Sequence, residues 1–131
     1  MGHQRGYQVK YAQRFVTKRK IITMTYKLVL TTCPDLASAH TIAEELVELN
    51  YAACVNIIPT VVSVYKWQGK LEQSSECQLI IKSDEINWPN VASYINKHHP
   101  YDVPELIQLD ISNASPEYLS WMGENLQQGK N

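Results

Sequence analysis

The residues best suited to chemistry lie in one stretch, HHPYDVPE, from His98 to Glu105. Two imidazoles, a phenol and carboxylates fall there at a single chain reversal. Imidazole with carboxylate is a donor set suited to Cu(II) or Zn(II). His98 and His99 are therefore candidate metal ligands, with Glu105 as a weaker third donor. Adjacent helical residues point about 100° apart, so one ion does not take both rings without unwinding or help from a second subunit. A histidine at a helix C-terminus is also stabilised by the helix dipole alone, which leaves a capping or packing role open.

The remaining reactive side chains are sparse. Cys33, Cys54 and Cys77 are an odd number with no CxxC pair, which argues against a disulfide framework or a zinc ribbon and fits a reducing, cytoplasmic setting. Cysteines so placed read as small buried hydrophobes. Cys33 stays a weaker metal candidate, because its sulfur favours Cu(I). Cys54 has no base or acidifying cation nearby in the sequence, so the core reading is preferred to a nucleophile. No Gly-rich phosphate loop occurs, and no arginine follows Arg19. Nucleotide binding and arginine-cradled phosphoryl chemistry are both disfavoured, and no catalytic residue is nominated.

The elements that position these residues follow from periodicity. Tyr26 to Thr31 is apolar on both parities, as expected of a central strand. Thr32 and Asp35 stand at capping-box spacing before an amphipathic helix whose stripe is Leu36, Ala39, Ile42, Ala43, Leu46 and Leu49, running to about Asn50. Tyr51 to Trp67 is a long run of β-formers interrupted by Pro59, which marks a bulge because proline cannot donate to a ladder. Gln68-Gly69 reads as a hairpin turn, and Cys77, Leu79 and Ile81 alternate beyond it.

A second helix is expected between Asp84 and His99, with Pro89 near its start and Pro100 at its end. Ile107, Leu109 and Ile111 make a fourth strand. Ser115-Pro116-Glu117 opens a last helix. The order predicts an α+β, ferredoxin-like β-α-β-β-α-β sandwich with a C-terminal helix and a long β2–β3 hairpin. Strands this rich in Val and Ile need cover on their second face, which points to an oligomer.

At 131 residues the chain is one domain in size. No apolar run approaches the ~18 residues of a membrane span, so no membrane role is expected. Half of the 12 Lys and Arg lie between Arg5 and Lys20, before the first acidic residue, Asp35. Residues 1–23 are therefore read as a basic extension, disordered or loosely attached, with transit-like composition or a misread start as alternatives. Residues 24–131, the domain proper, carry 6 basic against 13 acidic side chains, a balance of −7. Such a body repels polyphosphate, so no nucleic-acid partner is expected.

Taken together, TTCPD after the first strand, AACVNIIP, the Tyr65-x-Trp67-x-Gly69-Lys70 hairpin, HHPYDVPE and PEYLSWM resemble the CutA family, the divalent-cation tolerance proteins. The resemblance covers about Tyr26 to Leu126. It implies a ferredoxin-like fold in a tight homotrimer knitted by long hairpins, with no enzymatic activity, divalent metal ions as partners and copper as the first candidate. It leaves His98 and His99 as the copper-ligand candidates. Some bacterial members carry a copper-associated cysteine at the position matching Thr31, whereas Cys33 lies two residues later here. Thr60 also stands where many relatives have glycine. The alternatives are a small-molecule sensor resembling the PII signalling trimers, or an assembly scaffold with only adventitious metal binding.

Overall fold

The computed structural model describes residues 26–128. The basic segment 1–23 lies outside the described residues. Four strands form one antiparallel sheet in the order β2-β3-β1-β4: β1 Tyr26–Cys33, β2 Cys54–Trp67, β3 Lys70–Asp84 and β4 Ile107–Asp110. The helices are α1 Leu36–Glu48, α2 Trp88–His98 and α3 Pro116–Glu124. This is the ferredoxin-like α+β arrangement with an added C-terminal helix that the sequence predicts.

Strand β1 runs two residues further than the periodicity suggests, because Cys33 still pairs with Cys77. The α1 cap moves accordingly: Asp35 itself is the N-cap, accepting from the Ser38 backbone N–H at 2.8 Å, and Thr32 stays in the strand. A carboxylate at this point also meets the positive end of the helix dipole. Helix α1 buries Ala39, Ile42, Ala43 and Leu46, whereas Leu36 and Leu49 at its ends are exposed. Helix α2 begins after Asn87, carries Pro89 in its first turn, and buries Val91, Tyr94 and Ile95. The two helices pack with Val29, Leu79 and Ile81 from the odd-numbered face of β1 and β3. Each such fully buried aliphatic contributes about 1.5–3 kcal/mol.

Helix α3 closes a separate cluster on the other sheet face. Leu119, Met122 and Leu126 meet Tyr26 and Ala53, and Lys82 on that face reaches Tyr118 Oη at 3.1 Å. Gly123 permits the close approach, since a Cβ there would stand 2.7 Å from Tyr26 Oη. Helix α3 covers only one end. Leu28, Leu30, Ile58, Ile80, Ile107 and Leu109 share the rest of this face by register, and none is buried.

The β2–β3 hairpin extends past the rest of the sheet. Strand β1 pairs with β3 only from Cys77 to Asp84, so Lys70–Glu76 and Val61–Trp67 pair solely with each other. The ladder slips between Ile58 and Val61, at the bulge that Pro59 predicts. At the tip, Gln68 (φ 52°) and Gly69 (φ 81°) both adopt left-handed backbone, the geometry of a type I′ turn. Two-stranded ribbons alone are marginal in water. This one also exposes Val62, Val64, Trp67 and Leu71, the last at 75%.

Candidate functional site

The four nominated residues come to four different places. His98 ends α2 on the exposed surface, where its ring stacks on Tyr94 with centroids 4.3 Å apart. The Tyr94 hydroxyl donates to Glu45 on α1. Burial, followed by that carboxylate, raises the phenol well above its ordinary value. Glu45, Tyr94 and His98 share a groove of about 500 Å³ between α1 and α2. An imidazole and a carboxylate therefore line one surface groove.

His99 points inward and is 8% exposed. The Tyr101 backbone N–H donates to its Nδ1 at 3.0 Å, and its Nε2 lies 2.6 Å from the Thr32 carbonyl oxygen. This network assigns the proton to Nε2, since a carbonyl can only accept. Both ring nitrogens are thus engaged in tying the α2–β4 turn to the end of β1.

Glu105 lies elsewhere again, half-buried and accepting from Gln78 Nε2 at 3.4 Å. It lines a cleft of about 870 Å³ between the hairpin and the α2–β4 turn. Tyr65, Trp67, Glu72, Glu76, Tyr101 and Asp102 line the same cleft, and no Lys, Arg or His does. Tyr101 donates to Glu76 Oε2 at 2.8 Å while Ser63 donates to Oε1 at 2.6 Å. Burial, then the Glu76 hydrogen bond, pushes the Tyr101 phenol up to about 12.

Cys33 is fully buried, opposite Cys77 across the β1–β3 ladder. Burial is the largest influence raising its thiol to about 11. Cys54, read as a core residue, sits half-buried on the partly open sheet face, opposite Lys82. Among the described residues, no three of His, Cys, Asp and Glu converge as a site able to hold a metal ion. No described helix is long and apolar enough to cross a membrane.

Sequence reasoning missed Glu45, Glu76 and Cys77 as neighbours of the nominated residues. Tyr94 stands four residues before His98, so their stacking was open to helical spacing. The cross-strand and cross-helix neighbours needed the register and packing.

Comparison with known proteins matches the same span. The family model described as CutA1 divalent ion tolerance protein matches residues 27–125. A divalent-cation tolerance protein CutA from Pectobacterium atrosepticum is 42% identical over 100 residues, 76% of this chain and 91% of its own length. The solved Cut A1 divalent cation tolerance protein from Thermus thermophilus superposes with a TM-score of 0.76 at 40% identity, covering 78% of this chain and 99% of that one. CutA1 from Oryza sativa gives a TM-score of 0.79 at 33% identity over 82% of this chain and 99% of its own. A shared fold, a family match across the described domain and identity of this order agree: the chain belongs to the CutA1 divalent ion tolerance family.

Proposed function

We propose that this chain is a non-enzymatic subunit of a homotrimer that binds divalent metal ions, copper foremost, and contributes to metal-ion tolerance. The observation that carries the assembly is the projecting β2–β3 arm together with the uncovered apolar sheet face. Leu28, Leu30, Ile58, Ile80, Ile107 and Leu109 lie on that face. Burying such surface against copies of the same chain, with the arm adding to a neighbour's sheet edge, removes both liabilities at once. Family membership supports the metal-tolerance role.

Of the nominated ligands, His98 offers an imidazole at the surface, beside Glu45 in one groove. His99 and Glu105 would join only after rearrangement, since His99 spends both nitrogens on backbone groups and Glu105 faces a different cleft. The domain is residues 24–131, with 1–23 as an extension that assembly does not need, and the site of action is the cytoplasm.

A second reading, a small-molecule sensor, is favoured by one feature: the cleft lined by Tyr65, Trp67, Glu72, Glu76, Tyr101 and Glu105. Its negative lining suits a cationic ligand rather than a nucleotide. Calorimetric titration with Cu(II), Zn(II) and a nucleotide panel separates the two, combined with sedimentation for the assembly. The proposal expects a trimer that binds metal and no nucleotide. A monomer at micromolar concentration, or nucleotide binding without metal binding, overturns it.

A further inference from the structure

The β1–β3 register places Cys33 directly opposite Cys77, and both are buried, at 0% and 3% exposure. Directly opposed residues of an antiparallel pair hold their Cβ atoms about 4.5–5.5 Å apart on one face. Two collinear metal–thiolate bonds of roughly 2.3 Å each ask for sulfurs about 4.6 Å apart, within rotameric reach of side chains leaving Cβ atoms so spaced. Among the described residues, the pair has no third His, Cys, Asp or Glu donor around it. Zinc, which takes four ligands in structural sites, is therefore a poor fit. Thiolates select soft ions, and Cu(I) is satisfied by two of them in a near-linear arrangement.

We propose that Cys33 and Cys77 form a buried two-coordinate site for Cu(I), separate from the surface groove at His98. Binding is a proton exchange: Cu⁺ displaces one proton from each thiol, giving a dithiolate complex of charge −1 and two protons to solvent. No electron moves. The Cys33 thiol is protonated without the ion, since burial, then Cys77, Asp35 and Glu76, raise it to about 11.

One local feature fits such an ion, and one hydrogen bond must give way to it. Thr31 lies two residues from Cys33 on the same strand face, fully buried, and its hydroxyl is without a hydrogen-bond partner. It can donate to a thiolate. The Cys77 thiol donates to the Pro59 carbonyl on the β2 side at 3.1 Å, a bond that the ion must break as Sγ turns towards Cys33. The site does not rest on the surface imidazole, because it concerns Cu(I) rather than Cu(II).

The test is anaerobic competition of the reduced, full-length protein against a Cu(I)–bicinchoninate complex, read by loss of the complex's colour. The expected result is one Cu(I) per subunit, lost in Cys33→Ala and in Cys77→Ala and retained in Cys54→Ala and His98→Ala. Failure of the wild type to withdraw Cu(I), or full retention in both core variants, overturns the site. Should either core variant fail to fold by circular dichroism, copper-edge X-ray absorption of the loaded wild type decides. Two sulfur neighbours support the pair, and a shell of nitrogen or oxygen alone refutes it. Loss of Cu(II) binding in His98→Ala bears on the surface reading and leaves this one untouched.

Discussion

His98 and His99 are adjacent in the chain and face different surroundings. The first stacks on Tyr94 at 4.3 Å in the α1–α2 groove, and the second is closed between the Thr32 carbonyl and the Tyr101 amide. The split follows from where α2 ends. His98 is its last residue, and His99 already has extended backbone at ψ 141°, which suits the residue before Pro100. One ring therefore serves the surface and the other the fold.

The two alanine variants should separate accordingly. His99→Ala strands a buried carbonyl and a turn amide, at about 1–3 kcal/mol for an unsatisfied buried group. His98→Ala removes an exposed ring and should stay within about 0.5 kcal/mol of wild type. Thermal unfolding at matched protein concentration checks this. Equal losses in the two variants would contradict the division.

The hairpin tip offers a gain. Gln68 holds a φ of 52° at the first central turn position, where Asn is preferred. Gln68→Asn should raise the melting temperature, and Gly69→Val should lower it by forcing a β-branched side chain to φ 81°. An unchanged melting curve for Gly69→Val would mean the tip relaxes to another turn type.

Assembly should depend on residues that the isolated subunit hardly needs. Ile107 is 45% and Trp67 62% exposed in the single chain. Substituting them costs the subunit little. Ile107→Glu buries a charge if the sheet face is an interface, and Trp67→Ala removes an anchor. Analytical ultracentrifugation should find both variants shifted towards smaller species with their circular dichroism kept. Full assembly in both would place the interface elsewhere.

Two aspartates predict opposite pH signatures. The Asp35 carboxyl is held below its usual range by the Ser38 N–H and then the Ser38 hydroxyl. Its stabilisation is present above the ordinary carboxylate value and is lost as pH falls through the lowered folded one. Asp84 is raised, chiefly by burial. Its contribution is complete below the ordinary value and is lost as pH rises through the folded one. Asp35→Ala should therefore be less stable than wild type at neutral pH, with the gap closing below about pH 4. Asp84→Asn keeps an acceptor for Asn87 and should gain on wild type as pH rises from that point. Melting temperatures across the range check both signs.

Much of the fold was legible because local signals agreed. Pro59 marks the bulge, Gln68-Gly69 the turn, Ser115 the cap of α3, and Cys77, Leu79 and Ile81 the buried parity of β3. The α1 cap was misplaced by three residues, from Thr32 to Asp35, because both carry capping side chains and only strand pairing at Cys33 decides between them. The site was less legible. Helical spacing gives the divergence of His98 from His99, but it does not say which ring turns inward. That is settled by the Thr32 carbonyl, 67 positions away in the chain. The pairing of Cys33 with Cys77 is likewise a fact of register, invisible until β1 and β3 are aligned.

The most direct test of the proposed function is calorimetric titration of the intact assembly with Cu(II), comparing wild type with His98→Ala at neutral pH. A saturable site should appear in wild type and weaken about tenfold or more in the variant, with the oligomer unchanged. Imidazole ligation also requires the wild-type affinity to fall steeply below about pH 6, where protons compete for the ring. Identical isotherms for the two proteins would remove His98 from the account, and no measurable Cu(II) binding by the wild type would contradict the metal-binding claim itself.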